Sequence, residues 1–168
     1  SKGHTITIEN LLTHTSGIKD YGELDSRIPN AIRVEFPRKV VIDSLARLPL
    51  DFDPSAKYSY SNSNYYMLGY IIEQITGRSY KDYLKENLFA PAGLSNTFYD
   101  SPTQIIPNRA NGYSKDGSAF KNTDYISMSL VYSAGALLSN ISDLYKWHQA
   151  LYSYKLVKKE TLEKAFTS

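Results

Sequence analysis

Residues 52–97 read FDPSAKYSYSNSNYYMLGYIIEQITGRSYKDYLKENLFAPAGLSNT, and this stretch decides the fold. Its first residues are extended or turn-like, because Pro54 disfavours a helical Asp53. From about Ser63 to Thr76, Leu68, Ile71, Ile72 and Ile75 recur with helical spacing and form the expected core stripe. Gly77 stands where a helix places its left-handed C′ residue. Ser79 is the expected N-cap of the next helix, with Asp82 near its positive end and Tyr83, Leu84 and Leu88 facing inward. Pro91 and Gly93 close that helix.

Upstream, Thr7 caps a short helix carrying Ile8, Leu11 and Leu12, with Gly17 as its expected C′ residue. Residues 19–36 read as an irregular surface loop, broken at Pro29 and Asn30. Pro37 suits the first turn of a helix with Val41, Leu45 and Leu48 on one face, stopped by Pro49. Downstream, Lys115-Asp116-Gly117 between Tyr113 and Phe120 reads as a hairpin turn. Ser142 is the expected cap of a helix carrying Leu144, Trp147 and Leu151, and a last helix carries Leu162, Ala165 and Phe166. The sum is mainly α: about six helices with a small β-hairpin, in a single helical domain over residues 1–168.

Composition narrows the function classes. With 168 residues, 42% hydrophobic and 13% aromatic, the chain suits one folded domain and not a disordered one. A net charge of +2 points to no nucleic-acid or membrane-surface partner. The lack of cysteine removes disulfides and Cys-type zinc sites and leaves the redox compartment open. No apolar run approaches the ~18 residues of a membrane span. His4, His14 and His148 lack the spacing of a metal-binding HExxH helix, so His14 is expected to pack or cap near the end of the first helix. Two S-x-x-K pairs, Ser16…Lys19 and Ser118…Lys121, offer a Ser activated by Lys, but one contains a helix-ending glycine and the other follows a hairpin turn. Both are rejected as nucleophiles on that context.

Tyr60-Ser61-Asn62 carries more chemistry. In an extended segment, residues i and i+2 point to the same side, so a phenol and an amide would project together just before a helix. A phenol with an ordinary pKa near ~10 is a poor base unless cations stabilise its phenolate. The nearest cation in sequence, Lys57, is insufficient alone. The composition includes 15 Tyr, so the tripeptide by itself has little specificity.

Three blocks in order give it context. Residues 6–18, ITIENLLTHTSGI, look like the "LLTHTSGL" signature of the serine β-lactamase-like family, which groups class C β-lactamases with penicillin-binding-protein-like hydrolases. Residues 52–97 resemble that family's long second block, with Tyr60-Ser61-Asn62 at its Y-[SA]-N position. Ser133-Ala134-Gly135-Ala136-Leu137-Leu138-Ser139, with Ser142-Asp143-Leu144, is similar to its third. Ser55, Ala92 and Ala136 replace the usual Gly, Leu and Gly, changes of turn geometry and packing more than of chemistry.

The resemblance implies the helical domain of the β-lactamase/transpeptidase-like fold, excised from a larger α/β two-domain serine hydrolase. The family's S-x-x-K would precede this chain and its K-[ST]-G or H-x-G strand would follow it. In the parent, Tyr60 would be catalytic, as general base and acid. Asn62 would bind substrate by hydrogen-bonding its amide side chain and would help orient the lysine of the nucleophile. No metal or organic cofactor is implied. The substrate would be a small molecule or peptidoglycan-like peptide (a β-lactam, D-amino-acid peptide or ester), met together with the missing catalytic domain of the same polypeptide. A periplasmic, secreted or membrane-anchored parent fits the family. This chain alone is expected to be inactive; the alternative is a catalytically silent binding or scaffold module.

Overall fold

Thr7, Ser79, Ser127 and Asn140 accept backbone N–H groups at helix starts in a computed structural model that describes residues 3–24 and 31–167. Among them are seven helices: α1 (Ile8–Leu12), α2 (Arg38–Ala46), α3 (Asn62–Thr76), α4 (Tyr80–Leu84), α5 (Met128–Val131), α6 (Ile141–Tyr152) and α7 (Lys159–Phe166). Two antiparallel pairs complete them, β1 (Phe98–Tyr99) with β4 (Leu137–Leu138) and β2 (Tyr113–Asp116) with β3 (Ala119–Asn122). The mainly α expectation holds. The hairpin forms with Asp116 opposite Ala119, and Gly117 carries the positive φ of its turn. The breakers Pro29 and Asn30 lie outside the described residues.

The chain divides into two compact units, residues 1–69 with 101–135, and residues 70–100 with 136–168. In the first unit, Thr7 caps α1 and Asn10 returns the bond to the Thr7 backbone, a reciprocal box that satisfies two donors. Gly17 is not the C′ residue, because α1 ends at Leu12 and His14 takes the left-handed conformation at φ 56°. Gly17 serves another end. Its φ is +76°, and a Cβ there would collide with the Phe52 carbonyl. That close approach lets residues 14–17 run beside residues 51–59, with Asp51 N–H on the Gly17 carbonyl, Ser55 on Thr15 and Ser59 on His14, each at 2.8–2.9 Å.

α2 buries Val41 and Leu45 as expected, with Pro37 at its N-cap rather than inside its first turn. The buried face of α3 differs from the expected one. Ser63, Asn64, Tyr66 and Gly69 are buried, whereas Leu68, Ile71 and Ile72 are half-buried and Ile75 is 79% exposed. The reason is tertiary. Ser133 donates its hydroxyl to the Tyr65 carbonyl at 2.7 Å, and it and the Tyr132 ring occupy the space a Cβ on Gly69 would need. Tyr132 is held at φ 43° and is fully buried, its ring edge-on to Tyr66 at 4.9 Å and 4.5 Å from the Arg38 guanidinium.

In the second unit, Ser79 caps α4 by accepting from the Asp82 N–H. A π-helical turn, Lys85–Phe89, and a last turn, Ala90–Ala92, continue it to Gly93 at φ +70°. Pro91 lacks an N–H and its ring crowds the carbonyl four residues back, which the widened turn relieves. Leu84, Phe89, Ala92, Leu94 and Ala150 form the core here, with Tyr80, Leu88, Trp147 and Leu156 packed against it. Asn140, not Ser142, caps α6. That start puts Asp143 and Ala150 on the buried side and leaves Leu144 53% exposed. Asp143 is inaccessible, its carboxylate receiving the Asn96 N–H at 2.6 Å, the Thr97 hydroxyl at 3.1 Å and the Lys146 ammonium at 3.0 Å. α7 buries Leu162, while Ala165 and Phe166 are exposed.

Candidate active site

Tyr60 and Asn62 meet as the alternation of an extended segment requires. The Tyr60 hydroxyl donates to the Asn62 Oδ1 at 2.9 Å. Tyr60 is 59% exposed, and Asn62 opens α3. Tyr60 is therefore presented outward from a buried base, with Asn62 half-buried beside it, because the residue between them, Ser61, is buried and so are Ser63 and Asn64 in the first turn of α3.

Residues 14–16 build that base. His14 Nδ1 accepts from the Ser61 N–H and faces the Asn64 Nδ2, both at 3.3 Å. Asn64 in turn accepts the Ser16 hydroxyl at 2.5 Å. With Nδ1 accepting, a single ring proton belongs on Nε2. The His14 ring lies 4.6 Å from Tyr60, 5.2 Å from Tyr65 and 6.0 Å from Tyr58. The expectation that His14 packs near the end of the first helix is met, and the packing falls on the very segment that carries the phenol.

Asp20 was not singled out from the sequence. Its Oδ2 accepts the Asn62 backbone N–H at 2.5 Å and the Asn62 Nδ2 at 3.0 Å. The neighbouring Tyr21 phenol is pushed up to about 12, first by burial, then by the Asp20 carboxylate and Tyr60. Nothing in the irregular run 19–36 marks Asp20 as special, because its partner lies 42 residues away.

Of the two rejected serines, Ser16 is spent on structure, and Ser118 lies exposed in the hairpin turn. Ser16 is inaccessible, donates to Asn64 and accepts the Ile18 N–H at 3.0 Å, while Lys19 pairs with Asp51 and with Glu23. Lys121 lies 3.7 Å from Asp116 across the hairpin. Lys57 sits over the Phe52 ring, 5.0 Å from its centroid. A cleft of about 600 Å³ is lined by Thr5, Thr7, Glu9, Asn10, Thr13, Thr15, Asp53, Pro54 and Ser55, without Tyr60 or Asn62. Its central amide, Asn10, spends its Nδ2 on Thr15 and Ser55. Among the described residues, no three His, Asp or Glu side chains converge to hold a metal ion.

The family profile described as Beta-lactamase matches residues 1–168. The chain belongs to the β-lactamase family. Penicillin-binding protein 4* of Bacillus subtilis is 32% identical over 177 residues, a match covering 96% of this chain and 39% of that protein. Among solved structures, a D-stereospecific amidohydrolase from Streptomyces superposes with a TM-score of 0.84 at 26% identity, covering 99% of this chain and 52% of that one. The D-amino acid amidase of Ochrobactrum anthropi gives 0.81 at 26%, covering 96% and 46%. The chain thus spans about two fifths of that curated relative and about half of those structures. Its mainly helical architecture is the helical part of the β-lactamase-like fold. No helix among the described residues is long and apolar enough to cross a membrane.

Proposed function

We propose that this chain is the helical portion of a serine hydrolase that cleaves an amide or ester through an acyl-enzyme. In that reading a serine outside these residues attacks the carbonyl, and water releases the acyl group. Tyr60 moves the proton, accepting it from the nucleophile and returning it to the leaving group. Asn62 Oδ1 accepts a hydrogen bond from the substrate amide or from the lysine paired with the nucleophile.

The observation that carries the reading is the hydrogen-bonded pair of exposed Tyr60 and half-buried Asn62 at the start of α3. A phenolate needs nearby positive charge, and the charged group fixed beside the pair is the Asp20 carboxylate. In this reading the cations that activate Tyr60 come from outside the described residues. The names of similar solved proteins, a D-amino acid amidase and a D-stereospecific amidohydrolase, favour a D-configured amide or peptide as substrate.

The test is turnover of nitrocefin, a p-nitrophenyl ester and D-phenylalaninamide by the protein encoded by the whole reading frame. Hydrolysis of at least one, lost in Tyr60→Phe with folding intact, supports the reading. Full activity of Tyr60→Phe removes Tyr60 from the mechanism, and a whole protein that binds these compounds without turning them over is a silent binding module.

A further inference from the structure

The Asn62 side chain can be turned two ways about its last bond, presenting either oxygen or nitrogen to Tyr60, and only the oxygen can accept the phenol proton. What selects the orientation is Asp20. One carboxylate oxygen, Oδ1, is held by the Gly22 N–H at 2.7 Å. The other accepts both the backbone N–H of Asn62 at 2.5 Å and its Nδ2 at 3.0 Å. An ionised carboxylate accepts and does not donate, so the amide group facing it must be the NH2. The reversed amide would set oxygen against oxygen and leave a carboxylate lone pair without its donor. Because the same oxygen holds the backbone at the first residue of α3, the anchor is referenced to the helix and not to a loose side chain.

We propose that Asp20 is a positioning residue of the active site: it locks the Asn62 amide so that Oδ1 is presented to the Tyr60 hydroxyl and to any donor that replaces it. This rests on the roles given above to Tyr60 and Asn62. Asp20 touches neither substrate nor reacting atoms and acts through Asn62. A consequence is that the position facing Asn62 in the complete site must be filled by a hydrogen-bond donor, such as a substrate N–H or an ammonium.

The experiment is a double-mutant cycle in the full-length protein, using whichever of nitrocefin and D-phenylalaninamide it turns over faster. Asp20→Ala is expected to lower kcat/KM by about 10-fold or more when Asn62 is present, and by less than about 2-fold in an Asn62→Ala background. Equal losses in the two backgrounds overturn the proposal. Asp20→Asn, closest in shape, guards against misfolding. In its 15N-resolved spectrum the Asn62 side-chain amide is expected to move while the backbone signals of α2 stay in place. An unmoved Asn62 amide signal overturns the proposal whatever the kinetics. Undiminished turnover in Tyr60→Phe would instead count against Tyr60 alone, and the Asn62 signal would then decide Asp20 by itself.

Discussion

At the scale of single residues, the environment of Tyr60 explains why a phenol can be both exposed and ordered. Its hydroxyl is directed by Asn62, and the face of its ring is supported by His14. Replacing His14 by Ala removes the ring contacts and leaves the Ser61 N–H without its acceptor in a buried position. It also puts alanine at φ 56°, which costs about 1 kcal/mol more than asparagine would. His14→Asn is therefore expected to melt higher than His14→Ala, and thermal unfolding of the two variants checks this. Gly17→Ala should destabilise the chain more than a surface change, since the added Cβ meets the Phe52 carbonyl. Its expected readout is a lowered melting temperature.

At the scale of elements, caps decide where helices begin. Ser79→Ala removes the acceptor of the Asp82 N–H and is expected to cost about 1 kcal/mol, measurable by denaturant unfolding. Ser79, Thr7 and Gly93 were legible in the sequence because each acts within three or four residues of itself. The α3 boundaries were legible to within one residue for the same reason. Its buried face was not. Isoleucine spacing pointed to Ile75, but the face is chosen by Ser133 and Tyr132, which the chain supplies from a distant segment. The start of α6 misled in a related way. Ser142 and Asn140 are both good caps, and Asp143 breaks the tie by needing to face the Asn96 N–H and the Thr97 hydroxyl. Asp20 was unreadable because no local rule joins a loop carboxylate to the first turn of a helix far along the chain.

At the scale of the whole molecule, charge and burial make one pH-sensitive joint. Burial raises the Asp143 carboxyl, but the Lys146 hydrogen bond, the Asn96 N–H and the Thr97 hydroxyl outweigh it, so the group is held below the ordinary carboxylate range. A depressed folded-state pKa contributes stability that is fully present above the unfolded value and is lost as pH falls through the folded one. Asp143→Asn is accordingly expected to lower the melting temperature at pH 7 and to narrow the gap to wild type in strong acid. A gap unchanged between pH 7 and pH 2 would remove Asp143 as the cause. The 168-residue chain by itself is expected to leave nitrocefin intact, because Ser16 is inaccessible and spent on Asn64. Hydrolysis that disappears in Ser16→Ala would reverse this. Family membership was visible in three ordered blocks, whereas the substrate was not, since the relatives extend well beyond the length of this chain.

The seat of Ser133 against Gly69 carries a consequence for how such a chain can diverge. A methyl group on α3 at residue 69 and a hydroxymethyl at residue 133 compete for one volume, so neither position drifts freely. Alanine at 69 becomes acceptable only after residue 133 has shrunk to glycine and the Tyr132 ring has given way by a few tenths of an ångström, and that intermediate gives up the hydroxyl clasp on the Tyr65 carbonyl. The two sites are thus expected to change as a pair, in that order, across descendants of this sequence.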